Sequence, residues 1–197
     1  VSICRQFISV FPLNYEYADI EVKKNKELAK DMCIIYGGVL KYIKDFFCND
    51  IEIAEIALLN YGLALEHFSS EIRNNKRIVE LAINNNYGSF KYASLELRGD
   101  IDIVKNAISQ DGFNLEFASK ELRNDEEIVK MAISHKKSDN DWGSKSCGGA
   151  LKFASESILS NKKIALIALP NEVGSDWGGD HISENDIDKW TRNVGSR

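Results

Sequence analysis

NDEEIVKMAIS (Asn124–Ser134) aligns without a gap under NDIEIAEIALL (Asn49–Leu59), which begins 75 residues earlier, three times 25. Both open on Asn-Asp, and both place Ile four residues and Ala eight residues after that Asn. Ile78 and Ile103 fall at the two intermediate steps of 25, as do Ala82 and Ala107, and Leu28 stands one step before Ile53. A fixed period of this length is the mark of a repeat array, in which each unit is too small to bury its own apolar face and does so against its neighbours.

Further columns share the period. They are Leu58, Ile83, Ile108 and Ile133; Leu40, Leu65, Phe90 and Leu115; Tyr42, His67, Tyr92 and Phe117; and Ile72, Leu97 and Leu122. After Ser134 the register jumps by 11 residues, then resumes with Leu151, Phe153, Ala154, Ser155 and Ile158. Asn161, Ile164, Ala168 and Leu169 open one more copy. The expected organisation is an N-terminal cap over 1–23 and tandem repeats over 24–169. The copies run 24–48, 49–73, 74–98, 99–123 and 124–159, with a partial copy at 160–169, an inserted loop at 135–149 and an acidic tail over 170–197.

Each copy reads as two helical pieces. Asp50, Asn75, Asp100, Asp125 and Asn161 stand where an N-cap offers oxygen to unpaired backbone N–H groups. Ile53, Ala57 and Leu58, with Ala54, line one face at helical spacing. Gly37, Gly62, Gly88 and Gly112 are expected to end the first helix in the left-handed conformation. A short second piece follows, about Leu63 to Phe68 in its copy. Ser69, Ser94, Ser119 and Ser155 then cap a single turn carrying Glu71-Ile72-Arg73 or its equivalent. The predicted fold class is all-α: a short right- or left-wound α-solenoid of about five two-helix repeats with a C-terminal capping tail.

The line N-D-x-E-I-V-x-x-A-I, followed by G-x-x-L-x-F-A-S-x-E-L-R as at Gly112–Arg123, resembles a bacterial family of tandem helical repeats classed as a domain of unknown function. Proteins with similar repeats include secreted effectors of intracellular bacteria and other multi-repeat bacterial proteins. The resemblance covers about residues 24 to 169 and implies a helical repeat scaffold of bacterial origin. It carries no catalytic residues to transfer.

Composition narrows the function classes. Hydrophobic residues make up 44% and charged residues 28%, with only two prolines, as in a folded, helix-rich chain. The net charge of −5 and the lack of a Lys/Arg run argue against nucleic-acid binding. No apolar run approaches 18 residues, so no membrane span is expected. Val1–Leu13 is apolar yet lacks a basic n-region and is not read as a signal peptide. The cysteines Cys4, Cys33, Cys48 and Cys147 form no CxxC pair, and Cys33 and Cys48 read as packing residues. Free thiols point to a reducing compartment, either the bacterial cytoplasm or, for a secreted effector, the host cytosol.

Several residues are candidates for sites. Arg73, Arg98 and Arg123 each follow a glutamate, Glu71, Glu96 and Glu121, by two positions. Such a ladder could grip a carboxylate-rich partner, but the expectation is that each Arg pairs with the Glu of the next copy along the stack. His67 lies in an aromatic column and is expected to be a half-buried packing residue. The irregular segments each hold Asp-Trp-Gly, at Asp141-Trp142-Gly143 and Asp176-Trp177-Gly178. They follow the first helix of consecutive copies, so the two loops are expected on one edge. Their tryptophans either cap the open end of the array or anchor a partner. Asp141, Trp142, Asp176, Trp177, Asp180 and His181 are the predicted partner-binding residues.

The acids of the tail match no calcium-loop spacing. Ser183-Glu184-Asn185-Asp186 resembles a capping box opening a last helix to about Arg192, with Trp190 as its apolar contact. No metal and no cofactor are expected. Cys147 with His135 is the only pairing that suggests nucleophilic chemistry, and neither an orienting group nor an oxyanion arrangement accompanies it. The expected function is a non-enzymatic protein-interaction module. Its partner would be a basic toxin, which makes the chain an immunity protein, or alternatively a host protein met by a secreted effector.

Overall fold

The computed structural model describes residues 12–134 and 147–172. The regular structure of its described residues is all helical, with no strand, and short helices pack in chain order as a helical repeat array. Six longer helices open the copies: α1 (Lys26–Ile35), α2 (Ile51–Asn60), α3 (Lys76–Asn85), α4 (Ile101–Gln110), α5 (Glu126–Ser134) and α6 (Lys162–Glu172). The chain divides into two compact units between Leu97 and Arg98. In the first, α1 packs on α2 and α2 on α3; in the second, α4 packs on α5 and α5 on α6.

The starts of these helices follow from their caps. The side-chain oxygen of Asp50 accepts from Ile53 N at 3.2 Å, Asn75 from Ile78 N at 3.3 Å, Asp100 from Ile103 N at 3.1 Å and Asp125 from Ile128 N at 3.0 Å. Asn25 makes the same bond to Leu28 N at 3.0 Å. Each bond satisfies an N–H that the first turn leaves unpaired. Behind the cap, each of α1 to α5 buries a four-residue set at i, i+1, i+4 and i+5: Ile53, Ala54, Ala57 and Leu58 in α2, and Ile103, Val104, Ala107 and Ile108 in α4. The recurring Ala allows the next helix to lie close.

The helix ends differ from expectation. The residues that close α1 to α4 are Tyr36, Tyr61, Asn86 and Asp111, and all four have φ between −151° and −155°. That is extended backbone, so the chain leaves the helix by straightening and not by a left-handed turn. The glycine column is also shifted, since Tyr87 and not Gly88 stands 25 residues after Gly62. Gly37 and Gly62 open the second piece, and close approach explains them. A Cβ on Gly37 would collide with the Ala57 carbonyl oxygen, and one on Gly62 with that of Ala82. Each glycine lies against the first helix of the following copy.

The second piece is a 3-10 helix at Gly62–His67, Tyr87–Tyr92, Gly112–Phe117 and Cys147–Phe153, and an α-helix only at Leu40–Phe47. Six or seven residues leave little room for i→i+4 bonding, and the tighter i→i+3 pattern uses them more fully. The serines then cap the closing turn as expected. Ser69 Oγ accepts from Ile72 N at 3.3 Å, Ser94 from Leu97 N at 3.1 Å, Ser119 from Leu122 N at 3.4 Å and Ser155 from Ile158 N at 3.4 Å.

Candidate interaction surfaces

Repeats expose equivalent positions, so a surface is best read by comparing them. On the outward side of α1 and α2 the first unit carries aliphatic residues, and α3 adds Leu81 beside the polar Asn84 and Asn85. Ile34 is 58% exposed, Ile35 47% and Leu59 62%, with Ile56 and Leu81 half-buried beside them. In α4 the corresponding positions are Asn106, Ser109 and Gln110. The buried columns of Ile53, Ala57 and Leu58 are apolar in every described copy because packing requires it. The position of Ile34 and Leu59 is Asn84 in α3 and Ser109 in α4, and that of Ile56 and Leu81 is Asn106 in α4 and Met131 in α5, so the aliphatic character does not recur with the stacking period. An open depression of about 520 Å³ adjoins it, lined by Leu59, Arg77, Glu80, Leu81, Asn84 and Asn85.

Polar links between copies hold that face in place. Asn85 donates to Leu59 O at 2.8 Å and accepts from Gly62 N at 2.6 Å, clamping the end of α2 to the turn that follows. Lys26 pairs with Asp50 at 2.6 Å and Glu52 at 3.1 Å, Lys30 with Glu52 at 2.5 Å, and Arg77 with Glu55. The Lys30 and Lys26 hydrogen bonds hold the Glu52 carboxyl below its ordinary range. At Asp50 partial burial acts in the opposite direction, yet Lys26 and the Ile53 N–H outweigh it and the carboxyl is again lowered.

A second inter-copy link runs through the closing turns, and it overturns the expected Arg–Glu pairing. Ser69 N donates to Cys48 O at 2.8 Å, Ser94 N to Arg73 O at 2.9 Å, Ser119 N to Arg98 O at 2.9 Å and Ser155 N to Arg123 O at 3.1 Å. Beside these bonds the Ser69 hydroxyl donates to Asn49 Oδ1 at 2.5 Å, and Asn49 Nδ2 donates to Glu71 at 3.1 Å. Ser94, Asn74 and Glu96 repeat the arrangement, the last pair at 2.9 Å. Asn124 receives Ser155 and Ser157, each at 2.5 Å. The Glu71 and Glu96 carboxylates are therefore held by asparagine amides. Among the described residues, Arg73, Arg98 and Arg123 form no ion pair, and the Nε of each is buried without an acceptor. The pairing failed because the stack sets Asn, and not Arg, opposite the Glu of the following turn.

The 25-residue period also matches a family model. Domain of unknown function (DUF4116) is matched at residues 25–73, 50–98 and 100–139, over more than half of the chain. The chain belongs to the DUF4116 family. The first two matches each span two of the 25-residue copies, so the DUF4116 unit is a pair of them. Among curated proteins and among solved structures, none matches the chain.

The predicted partner-binding residues of this DUF4116 chain, Asp141, Trp142, Asp176, Trp177, Asp180 and His181, lie outside the described residues, as do His135, Trp190 and the side chain of Cys147. His67 is half-buried, and burial lowers its pKa, so it stays neutral at pH 7. Cys33 is buried, as expected, and burial pushes its thiol up to about 12. Among the described residues no group of three or more His, Cys, Asp or Glu is placed to hold a metal ion. Nor is any described helix long and apolar enough to cross a membrane. The aliphatic face is not legible in the columns that agree between copies. Its signal is a column that disagrees.

Proposed function

We propose that this DUF4116 array is a non-catalytic module that binds another protein. The observation that carries the reading is the aliphatic face of α1 and α2, exposed at Ile34, Ile35 and Leu59 where α3 and α4 are polar. Stacking does not call for that exposure, and an exposed apolar patch next to a depression suits protein contact. On this reading the inserted loop 135–149 and the tail 170–197 add contacts through Asp141, Trp142, Asp176, Trp177, Asp180 and His181, with no metal or cofactor involved.

The source is bacterial by the family resemblance, and the leading role is toxin neutralisation. Net charge favours it: the tail from Asn171 holds six acids against three bases, giving −3 of the chain's −5. An acidic surface facing a basic toxin associates quickly and in a salt-sensitive way. The second role, a secreted effector holding a host protein, is favoured by the aliphatic face, whose contacts are insensitive to salt. The corresponding locations are the bacterial cytoplasm and the host cytosol.

The test is affinity capture from lysates of the source bacterium and of a candidate host, with the partner identified by mass spectrometry and its binding then measured with purified protein. The Ile34→Asp/Leu59→Asp variant should lose that partner, and Trp142→Ala/Trp177→Ala should weaken it. A partner indifferent to both pairs of substitutions would defeat the reading. Steep salt dependence would select the immunity role, and a flat response the effector role.

A further inference from the structure

The charged groups on the outward sides of α1, α2 and α3 are paired with one another, with one exception. Lys26 holds Asp50 and Glu52, and Lys30 holds Glu52 and, at 3.2 Å, Glu27. Arg77 holds Glu55, and Asp31 and Lys76 are engaged as well. Glu80 is the exception: among the described residues it has neither an ion-pair nor a hydrogen-bond partner. The sequence explains why. Glu55 takes a cation 22 residues on, at Arg77, whereas 22 residues on from Glu80 stands an acid, Asp102.

Glu80 lines the depression of about 520 Å³ together with Leu59 and Leu81. The other polar groups there are committed. Asn85 donates to Leu59 O and accepts from Gly62 N, Asn84 is engaged too, and Arg77 is turned to Glu55. The depression therefore offers a partner apolar surface and one half-buried carboxylate. Such a carboxylate favours an incoming cation, because it is already partly desolvated and no resident cation competes for it. From Leu59 the apolar surface continues to Ile34 and Ile35 on α1, which packs against α2.

We propose that this depression takes a cationic amphipathic helix of a partner protein, which sets aliphatic side chains on Leu59 and Leu81 and a Lys or Arg against Glu80. The proposal rests on the aliphatic face being the binding surface and adds the chemistry of what it binds. Secondary structure favours a helix as the occupant. The described residues hold no strand, so an extended segment would find no sheet edge for its backbone groups, whereas a helix satisfies its own. A helix also presents aliphatic and basic side chains next to each other, at i and i+3 or i+4. An anionic membrane surface is disfavoured by the same carboxylate and by the net charge of −5.

The probe is a synthetic amphipathic helical peptide with leucines on one face and lysines bordering them, titrated calorimetrically against the full chain. The same peptide with glutamine, or with glutamate, in place of lysine gives the comparison. The lysine peptide should bind, the glutamine peptide about three- to tenfold more weakly, and the glutamate peptide most weakly. Glu80→Gln should remove the advantage of lysine over glutamine, and Glu80→Lys should turn the preference to the glutamate peptide. Glu116→Gln, which removes an exposed carboxylate of the second unit and changes the net charge equally, should leave the preference unchanged. Leu59→Asn should weaken the lysine and glutamine peptides alike, with circular dichroism showing the fold retained. Equal binding of those two peptides, lost in Leu59→Asn, would overturn this proposal and leave the aliphatic face as a binding surface. Binding that Leu59→Asn does not touch would remove that surface and the proposal with it. A lysine peptide that does not bind, or a lysine preference that survives Glu80→Gln, would also overturn the proposal.

Discussion

Gly99→Asn should stabilise the protein, and the size of the gain can be worked from its equivalents. Gly99 does not have a positive φ, so a side chain enters without backbone strain, and nothing lies nearer its Cβ than 3.6 Å. Replacing such a glycine removes freedom from the unfolded chain and contributes ~0.4–1 kcal/mol. Asn at 99 would also receive the Ser119 hydroxyl and donate to Glu121, as Asn49 does with Ser69 and Glu71. One exposed hydrogen bond of this kind adds roughly 0.5 kcal/mol, the low end of the usual range. The sum is about 1 kcal/mol, or roughly 2–4 °C in melting temperature for a chain of this size. Urea denaturation followed by circular dichroism would measure it. Gly99→Ala should capture the entropic part alone, and Ser119→Ala, which already costs the wild type its cap on Leu122 N, should cost the Gly99→Asn background more by the remainder. If Gly99→Asn equals Gly99→Ala, the Ser–Asn–Glu link contributes nothing. If it destabilises, the open space inferred at position 99 is wrong.

Gly62→Ala tests the close approach of copies, since the added methyl collides with the Ala82 carbonyl; a loss of about 2 kcal/mol is expected by urea denaturation. Acid stability should depend on Asp50 and Glu52, whose folded pKa values are lowered. Their contribution is complete above the ordinary carboxylate range and is lost as pH falls through the lowered folded values. The Asp50→Asn/Glu52→Gln variant should therefore flatten the acid side of a pH–stability curve, and an unchanged slope would show the lysine pairs to be inert. Cys33, buried with its thiol near 12, should resist alkylation at neutral pH in the folded protein and react only after denaturation, as peptide mapping would show.

Residues and their near neighbours settled much of this fold. The period came from Ile53, Ile78, Ile103 and Ile128, and the helix starts from Asp50, Asn75, Asp100 and Asp125. A cap bonds within three residues and an apolar face repeats within one helix, so both are written locally. The serine caps were legible for the same reason. What tertiary structure decided involves partners 20 or more residues apart. Asn49 reaching Ser69 and Glu71, Asn85 clamping Leu59 and Gly62, and Gly37 lying under the Ala57 carbonyl all depend on how successive helices and closing turns sit on one another. The linear pattern places Arg73 as close to the glutamates as Asn74 is, and only the stacking geometry turns the amide toward Glu96 and leaves the guanidinium without a partner. The aliphatic face was likewise undecided in sequence, because Leu59 and Leu58 are alike in chemistry and the helix azimuth alone sends one outward and the other into the core.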